Sequence, residues 1–253
     1  MVDVHSHLLP LVDDGAIDID DMNGMLDIYL GEGVDSIVAT PHFKSGIYMN
    51  SYEKVCLCID VLGLSGRVLP GQEVFLDKDT LGYCKEGLIR GINGGSYLLV
   101  ELAFDKFRVD YLSYVIELID FGFRVVIAHP ERYAYFSKNP SLLDDFIRVG
   151  CFFQINSGSF LGLFGKDVKD FAFLLARSGL VDFVGSDAHG SVKRVPRLKV
   201  ALQILDKAKA GLGSIVESNA KSLVLDELLV VQKRKPLADK RKSVKLGAFK
   251  FFK

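Results

Sequence analysis

Seven short runs of almost unbroken apolar residues constrain the fold of this chain more than any other feature. They fall at residues 2–4, 36–39, 67–69, 97–100, 124–128, 151–155 and 181–184. Runs this short and this uniformly apolar suit strands covered on both faces, as in a parallel sheet. Between them lie segments with helical spacing at 22–33, 51–63, 109–122, 140–150, 166–179 and 196–211, each closing on a glycine of the kind that ends helices. Alternating strand and helix units predict an α/β architecture with a parallel sheet, either closed as a barrel or open and doubly wound. The length of 253 residues agrees with the ~250 of a single β/α barrel.

Apolar residues make up 49% of the sequence and the formal net charge is −1, so a substantial core is expected and a disordered chain is not. The first residues carry no basic stretch leading into an apolar one, and nowhere do about 18 apolar residues follow one another, so a cytoplasmic protein is expected. Cys56, Cys58, Cys84 and Cys151 show neither metal-type pairing nor a disulfide framework and are read as reduced thiols. From Lys233 onward nine lysines and arginines are interleaved with Phe249, Phe251 and Phe252. The expected division is a barrel over residues 1–228 and a basic tail over 229–253, peripheral to it.

All five histidines follow directly from an apolar run. His5 and His7 follow the first, His42 the second, His129 the fifth and His189 the seventh. Carboxylates take matching places, with Glu73 after the third run, Glu101 after the fourth, Asp187 after the seventh, and Asp14 in the loop beyond His7. Taken singly, each has an ordinary explanation: alternate residues on a strand end share a face, and a loop carboxylate often caps a helix. Jointly they put ligand-type side chains at one end of six of the seven strands, where a parallel barrel converges. Nine such groups crowded together are costly without cations to coordinate them. The mixture of imidazole and carboxylate suits manganese, iron or zinc better than an all-oxygen magnesium or calcium cage.

At these residues the chain resembles the polymerase and histidinol phosphatase (PHP) superfamily, and within it the bacterial tyrosine-protein phosphatases found with capsule and exopolysaccharide genes. The resemblance rests on Asp3-Val4-His5-Ser6-His7-Leu8-Leu9-Pro10 with Asp13-Asp14-Gly15, then Ala39-Thr40-Pro41-His42, Pro70-Gly71-Gln72-Glu73-Val74, Val100-Glu101-Leu102, Ala128-His129-Pro130-Glu131-Arg132-Tyr133 and Gly185-Ser186-Asp187-Ala188-His189, in order. It extends to about Leu225 and implies a distorted seven-stranded (β/α)7 barrel with a three-metal centre, usually manganese, iron and zinc remaining open. His5, His7, Asp14, His42, Glu73, Glu101, His129, Asp187 and His189 fall on its ligand positions. Arg132 and Arg194 fall where the substrate phosphate is held. One departure is Leu11, where the first motif usually has glycine.

The resemblance implies hydrolysis of phosphotyrosine in the tail of a membrane-anchored bacterial tyrosine kinase that controls polysaccharide export. That partner would bring the protein to the inner face of the membrane. Phe43, Tyr48, Tyr133, Tyr135 and Phe160 are candidates to pack on a phenyl ring. Alternatives are a small-molecule phosphatase of the histidinol phosphate type and a non-catalytic metal-binding module. No nucleic-acid partner is expected. The basic tail could meet anionic lipid, a weak membrane-surface contact. Cys84 and Arg90 have the spacing of cysteine-dependent phosphatases, but the segment between them lacks the glycine-rich stretch that cradles phosphate.

Overall fold

The computed structural model describes residues 1–229 together with Arg234 and Leu237. Ten strands and ten α-helices follow one another as β1 (Val2–Ser6), α1 (Ile19–Glu32), β2 (Ser36–Ala39), β3 (His42–Lys44), β4 (Tyr48–Met49), α2 (Tyr52–Val61), β5 (Val68–Pro70), β6 (Glu73–Phe75), α3 (Thr80–Lys85), β7 (Tyr97–Glu101), α4 (Tyr111–Asp120), β8 (Arg124–Ala128), α5 (Ala134–Lys138), α6 (Leu142–Arg148), β9 (Phe152–Asn156), α7 (Ser157–Leu161), α8 (Lys166–Arg177), β10 (Phe183–Gly185), α9 (Leu198–Ala208) and α10 (Leu212–Val224). All seven apolar runs lie in or beside strands, and every residue of β1, β7 and β9 is buried. The helices cover them; each fully buried leucine or phenylalanine contributes about 1.5–3 kcal/mol.

The strands form a three-stranded sheet ordered β1-β2-β5 and a seven-stranded sheet ordered β10-β9-β8-β7-β6-β3-β4, parallel throughout except for the β3–β4 hairpin. The resemblance implies a single ring of seven strands; among the described residues the strands pair as these two sheets. The second and third runs are each followed by a break and a further short strand: Pro41, which has no N–H for a ladder, separates β2 from β3, and Gly71-Gln72 separates β5 from β6. β2 and β5 pair in the small sheet, β3 and β6 in the large one. A bridge between Ser6 and Ala188 links the sheets beyond β1 and β10, where His7 N–H donates to Ala188 O at 2.9 Å.

Local chemistry explains the helix limits. The Asp18 carboxylate accepts from Asp21 N–H at 2.8 Å to cap α1, and Met22, Met25 and Tyr29 line its buried side. Gly33, at φ 76°, turns the chain out in the left-handed region. Gly185 matters for a different reason: a Cβ there would lie 2.5 Å from the His5 Cβ, so only glycine lets β10 pass close to β1. At the amino end of β9 and β10, Arg234 pairs with Asp182 and donates to Cys151 O at 3.2 Å, while Leu237 is buried. The rest of the expected basic tail lies outside the described residues. Among the described residues no helix is long and apolar enough to cross a membrane.

Candidate metal centre

The nine expected donors meet in one cluster, at strand ends and in the turns beyond them. His5 lies in β1 and His7 just beyond it; His42 opens β3 in register with Glu73, which opens β6. Glu101 closes β7, and the backbone after it is pinned by N–H bonds from Leu102 to the Tyr133 hydroxyl at 2.9 Å and from Ala103 to the Tyr111 hydroxyl at 2.8 Å. His129 and Asp187 turn off their strands at φ 32° and 52°, left-handed conformations that cost about 1–3 kcal/mol each and concentrate at functional sites.

Glu73 is central. Its Oε2 lies 3.3 Å from His5 Nε2, 3.2 Å from His7 Nε2 and 3.1 Å from His42 Nδ1, and its Oε1 lies 2.7 Å from His129 Nε2. Asp187 Oδ1 is 3.6 Å from His5 Nε2 and 3.5 Å from both His7 Nε2 and His189 Nδ1. Glu101 lies 3.8 Å from His42 and 3.9 Å from His129, and Asp14 Oδ1 reaches His42 Nε2 at 3.4 Å and His189 Nε2 at 3.7 Å. Four overlapping groups are tight enough to hold an ion: His7, Asp14, His42 and His189; His5, His7 and Asp187; His5, Glu73 and His129; His42, Glu73 and Glu101.

The hydrogen bonding of the imidazoles fits a metal. His7 Nδ1–H donates to Asp13 Oδ2 at 2.7 Å and His5 Nδ1–H to Gln154 Oε1 at 2.9 Å, which turns both Nε2 lone pairs inward, 3.2 Å apart. Two lone pairs so placed cannot bond each other, and ligating histidines are commonly oriented in this way. His42 Nδ1 is buried with no hydrogen-bond partner among the described residues, 3.1 Å from Glu73. Left to themselves these side chains must take up protons instead. Burial pushes His5 and His7 down, but Glu73 beside His5 and Asp13 beside His7 outweigh it and hold both above the usual imidazole range. Burial, then the charge of Glu73, pushes Glu101 up to about 8. Burial holds His129 down at about 4 and His189 at about 3, in the neutral form that ligates. Proton and cation compete for the same lone pairs.

Arg132 and Arg194 both arrive at this cluster. Arg132 Nη1 lies 2.9 Å and Arg194 Nη2 2.6 Å from Asp187 Oδ2, which also accepts from Asn156 Nδ2 at 2.5 Å. Phe164 sits under both guanidinium groups, 4.4 Å from Arg132 and 5.9 Å from Arg194, and the buried Arg194 Nε has no partner among the described residues. A pocket of about 130 Å³ opens here, lined by both arginines and by ligand candidates from Asp14 to His189.

Sequence reasoning missed the residues that orient these groups. Asp13 also accepts from His42 N–H at 2.9 Å, and Gln154 donates to Asn156 Oδ1 at 3.0 Å, so the strand that brings no ligand candidate aligns His5 and Asp187. The Asp-Asp-Gly motif was the one available signal, for Asp13. Of the five aromatic candidates, Phe43, Tyr133 and Phe160 are packed in the core and Tyr135 stacks on Tyr133. Tyr48 alone lines the opening, joined by Phe75 and Phe104. Cys84 is buried, and burial pushes its thiol up to about 12, so it is no nucleophile at neutral pH. Leu11 adopts φ 63°, so the loop keeps the path that glycine would take.

The family described as capsular polysaccharide synthesis, CpsB/CapC, matches residues 1–225. The chain belongs to this family. Among CpsB/CapC relatives, the tyrosine-protein phosphatase YwqE of Bacillus subtilis is 34% identical over 247 residues, covering 94% of this chain and 96% of YwqE. Tyrosine-protein phosphatase CpsB of Streptococcus pneumoniae is 28% identical, covering 90% of this chain and all (100%) of CpsB. A solved structure from work on YwqE and CpsB, described as unique metal-dependent tyrosine phosphatases, superposes with a TM-score of 0.88 at 34% identity, covering 93% of this chain and 99% of that one.

Proposed function

We propose that this CpsB/CapC member is a metal-dependent protein-tyrosine phosphatase that acts on the phosphotyrosine tail of a membrane-anchored bacterial tyrosine kinase governing capsular or extracellular polysaccharide synthesis. The observation that carries this reading is the meeting of Arg132 and Arg194 at one wall of a pocket whose other walls are imidazoles and carboxylates turned inward. The names of the relatives supply the substrate class. In this reading His5, His7, Asp14, His42, Glu73, Glu101, His129, Asp187 and His189 hold three divalent ions, manganese by preference, and residues 229–253 are an appended tail. The protein works in the cytoplasm, at the inner face of the membrane where its substrate is anchored. The two sheets are one distorted seven-stranded (β/α)7 barrel, a reading supported by the continuity of β2 into β3, of β5 into β6, and by the Ser6–Ala188 bridge.

When bound, such ions supply charge neutralisation for the phosphoryl group and lower the pKa of water from about 15.7 towards about 7. The chain supplies the rest. Arg132 and Arg194 bind phosphoryl oxygens with planar forks that lysine does not reproduce. Phe164 keeps the two guanidinium planes in place, while Asp13 and Gln154 keep His7 and His5 in the tautomers that turn Nε2 inward.

The test is turnover of a phosphotyrosine peptide by metal-stripped protein with and without added Mn²⁺, beside His42→Ala and Arg132→Ala. Activity should appear only with metal and vanish in His42→Ala; Arg132→Ala should retain metal and lose about 10²–10³ in turnover. Metal-independent turnover, or turnover confined to histidinol phosphate, would overturn the reading.

A further inference from the structure

A second cavity of about 610 Å³, within the ~300–1,000 Å³ of ligand clefts, runs outward from the metal centre. It shares Asp14, His42, Glu101 and Phe104 with the inner pocket, so the two are continuous. One wall comes from the β3–β4 hairpin, with Lys44, Ile47 and Tyr48; the other comes from the loop after β7, with Ala103, Phe104, Asp105 and Arg108; Phe75 of β6 lies between. Two aromatic rings face the junction. Tyr48 stacks on His42 at 5.8 Å and Phe104 on His129 at 5.5 Å.

The charge of the cavity changes along its length. The inner end is acidic through Asp14 and Glu101, both assigned above to metal. The outer walls carry two cations, Lys44 and Arg108, against one carboxylate, Asp105. Among the described residues neither cation has a carboxylate within ion-pair distance; Lys44 Nζ instead lies 4.3 Å over the Phe75 ring. A phosphotyrosine with its phosphoryl group in the inner pocket would lay its ring between Tyr48 and Phe104 and its peptide backbone in this outer cavity. The residues beside the phosphotyrosine then face unpaired positive charge.

We propose that the Lys44–Arg108 groove is a peptide subsite that selects phosphotyrosines flanked by acidic residues, an inference that rests on the phosphatase reading. Carboxylates of the flanking residues pair with Lys44 and Arg108 in a partly exposed setting, so they govern capture of the peptide more than the chemical step.

The experiment compares kcat/KM, with Mn²⁺ supplied, for three substrates: p-nitrophenyl phosphate, a phosphotyrosine peptide with glutamates on both sides, and the same peptide with glutamines. The unmodified protein should favour the glutamate peptide by about three- to tenfold, the size expected of two partly exposed ion pairs, through KM and less at high salt. Lys44→Glu/Arg108→Glu should remove or invert that preference while turning over p-nitrophenyl phosphate as before, and Lys44→Gln/Arg108→Gln should remove it without inversion. Equal use of the two peptides, or a preference that survives both double variants, overturns the proposal while leaving the phosphatase reading standing. No turnover of any of the three substrates sinks the phosphatase reading, and this one with it.

Discussion

Two buried polar groupings adjoin at the β1–β10 edge, and they obey opposite rules. In the deeper one, Asp3 accepts from Ser186 N–H at 2.9 Å, from His5 N–H at 3.2 Å and from the Tyr29 hydroxyl at 2.7 Å, and Tyr29 Oη also lies 2.8 Å from Ser6 Oγ and 3.0 Å from Ser186 Oγ. Donors and acceptors match, so the network closes on itself and ties the two strands together. In the other, the candidate metal centre, acceptors face acceptors and His42 Nδ1 is left over. Buried polarity alone therefore does not mark a site; buried polarity that cannot satisfy itself does. Backbone strain follows the same line. His129, Asp187, Arg194 and Leu11 take positive φ around the centre, whereas Asp3, Ser6, Tyr29 and Ser186 do not.

The comparison can be broken in four places. Glu73→Ala removes the carboxylate that four imidazoles share and should lower turnover on the order of 10³-fold or more, several kcal/mol of lost metal stabilisation. Chelation should lower the thermal midpoint of the unmodified protein more than that of the variant, which keeps only the groups built without Glu73; equal chelator sensitivity would show that Glu73 is no ligand.

Glu131 stands between the two cases, because its Oε1 accepts from the Ser159 hydroxyl at 2.6 Å and Asn156 N–H at 3.0 Å while Oε2 is buried without a partner among the described residues. Burial raises its folded pKa from 4.5 to about 7. Its contribution to stability is thus fully present below pH 4.5 and is lost as pH rises through about 7. In metal-free protein, Glu131→Gln should gain on the order of 3 kcal/mol relative to the unmodified chain across that interval, read from denaturant unfolding at several pH values. A pH-independent difference would mean that Glu131 is ionised when folded.

Tyr29→Phe breaks the closed network and should cost about 1–3 kcal/mol, equally with and without chelator. A cost that tracked metal content would merge the two groupings into one. The smallest effect belongs to Leu11→Gly, which relieves a left-handed leucine but frees the unfolded chain. Its net change should stay below about 1 kcal/mol with turnover unaltered, and a larger stabilisation would locate real strain in the loop that carries Asp13 and Asp14.

The parallel strands and the clustering of the candidate donors were legible because both leave a one-dimensional trace: apolar runs, and a histidine or carboxylate after six of the seven. The splitting of the sheet was not. His42-Phe43-Lys44 and Glu73-Val74-Phe75 are too short and too polar to stand out, and their pairing depends on breaks at Pro41 and Gly71. Helix α10 begins directly after Gly211 with no side-chain cap, so nothing announced it. Asp3, Gln154, Asn156 and Phe164 are ordinary residues in sequence; their roles come from partners far along the chain, 183 residues away for Asp3 and Ser186 and 149 for Gln154 and His5.

The three donors gathered on Asp187 Oδ2 have a kinetic consequence. With both arginines assigned to the phosphoryl group, the resting pocket already contains a tethered anion in its place, an internal competitor that every substrate must displace and that recaptures the arginines as the product departs. If the arginines hold phosphate as proposed, such an arrangement would weaken retention of free orthophosphate without leaving either guanidinium to search for its position. On that reading, inhibition by released orthophosphate should be weak, held down by a residue that never leaves the site.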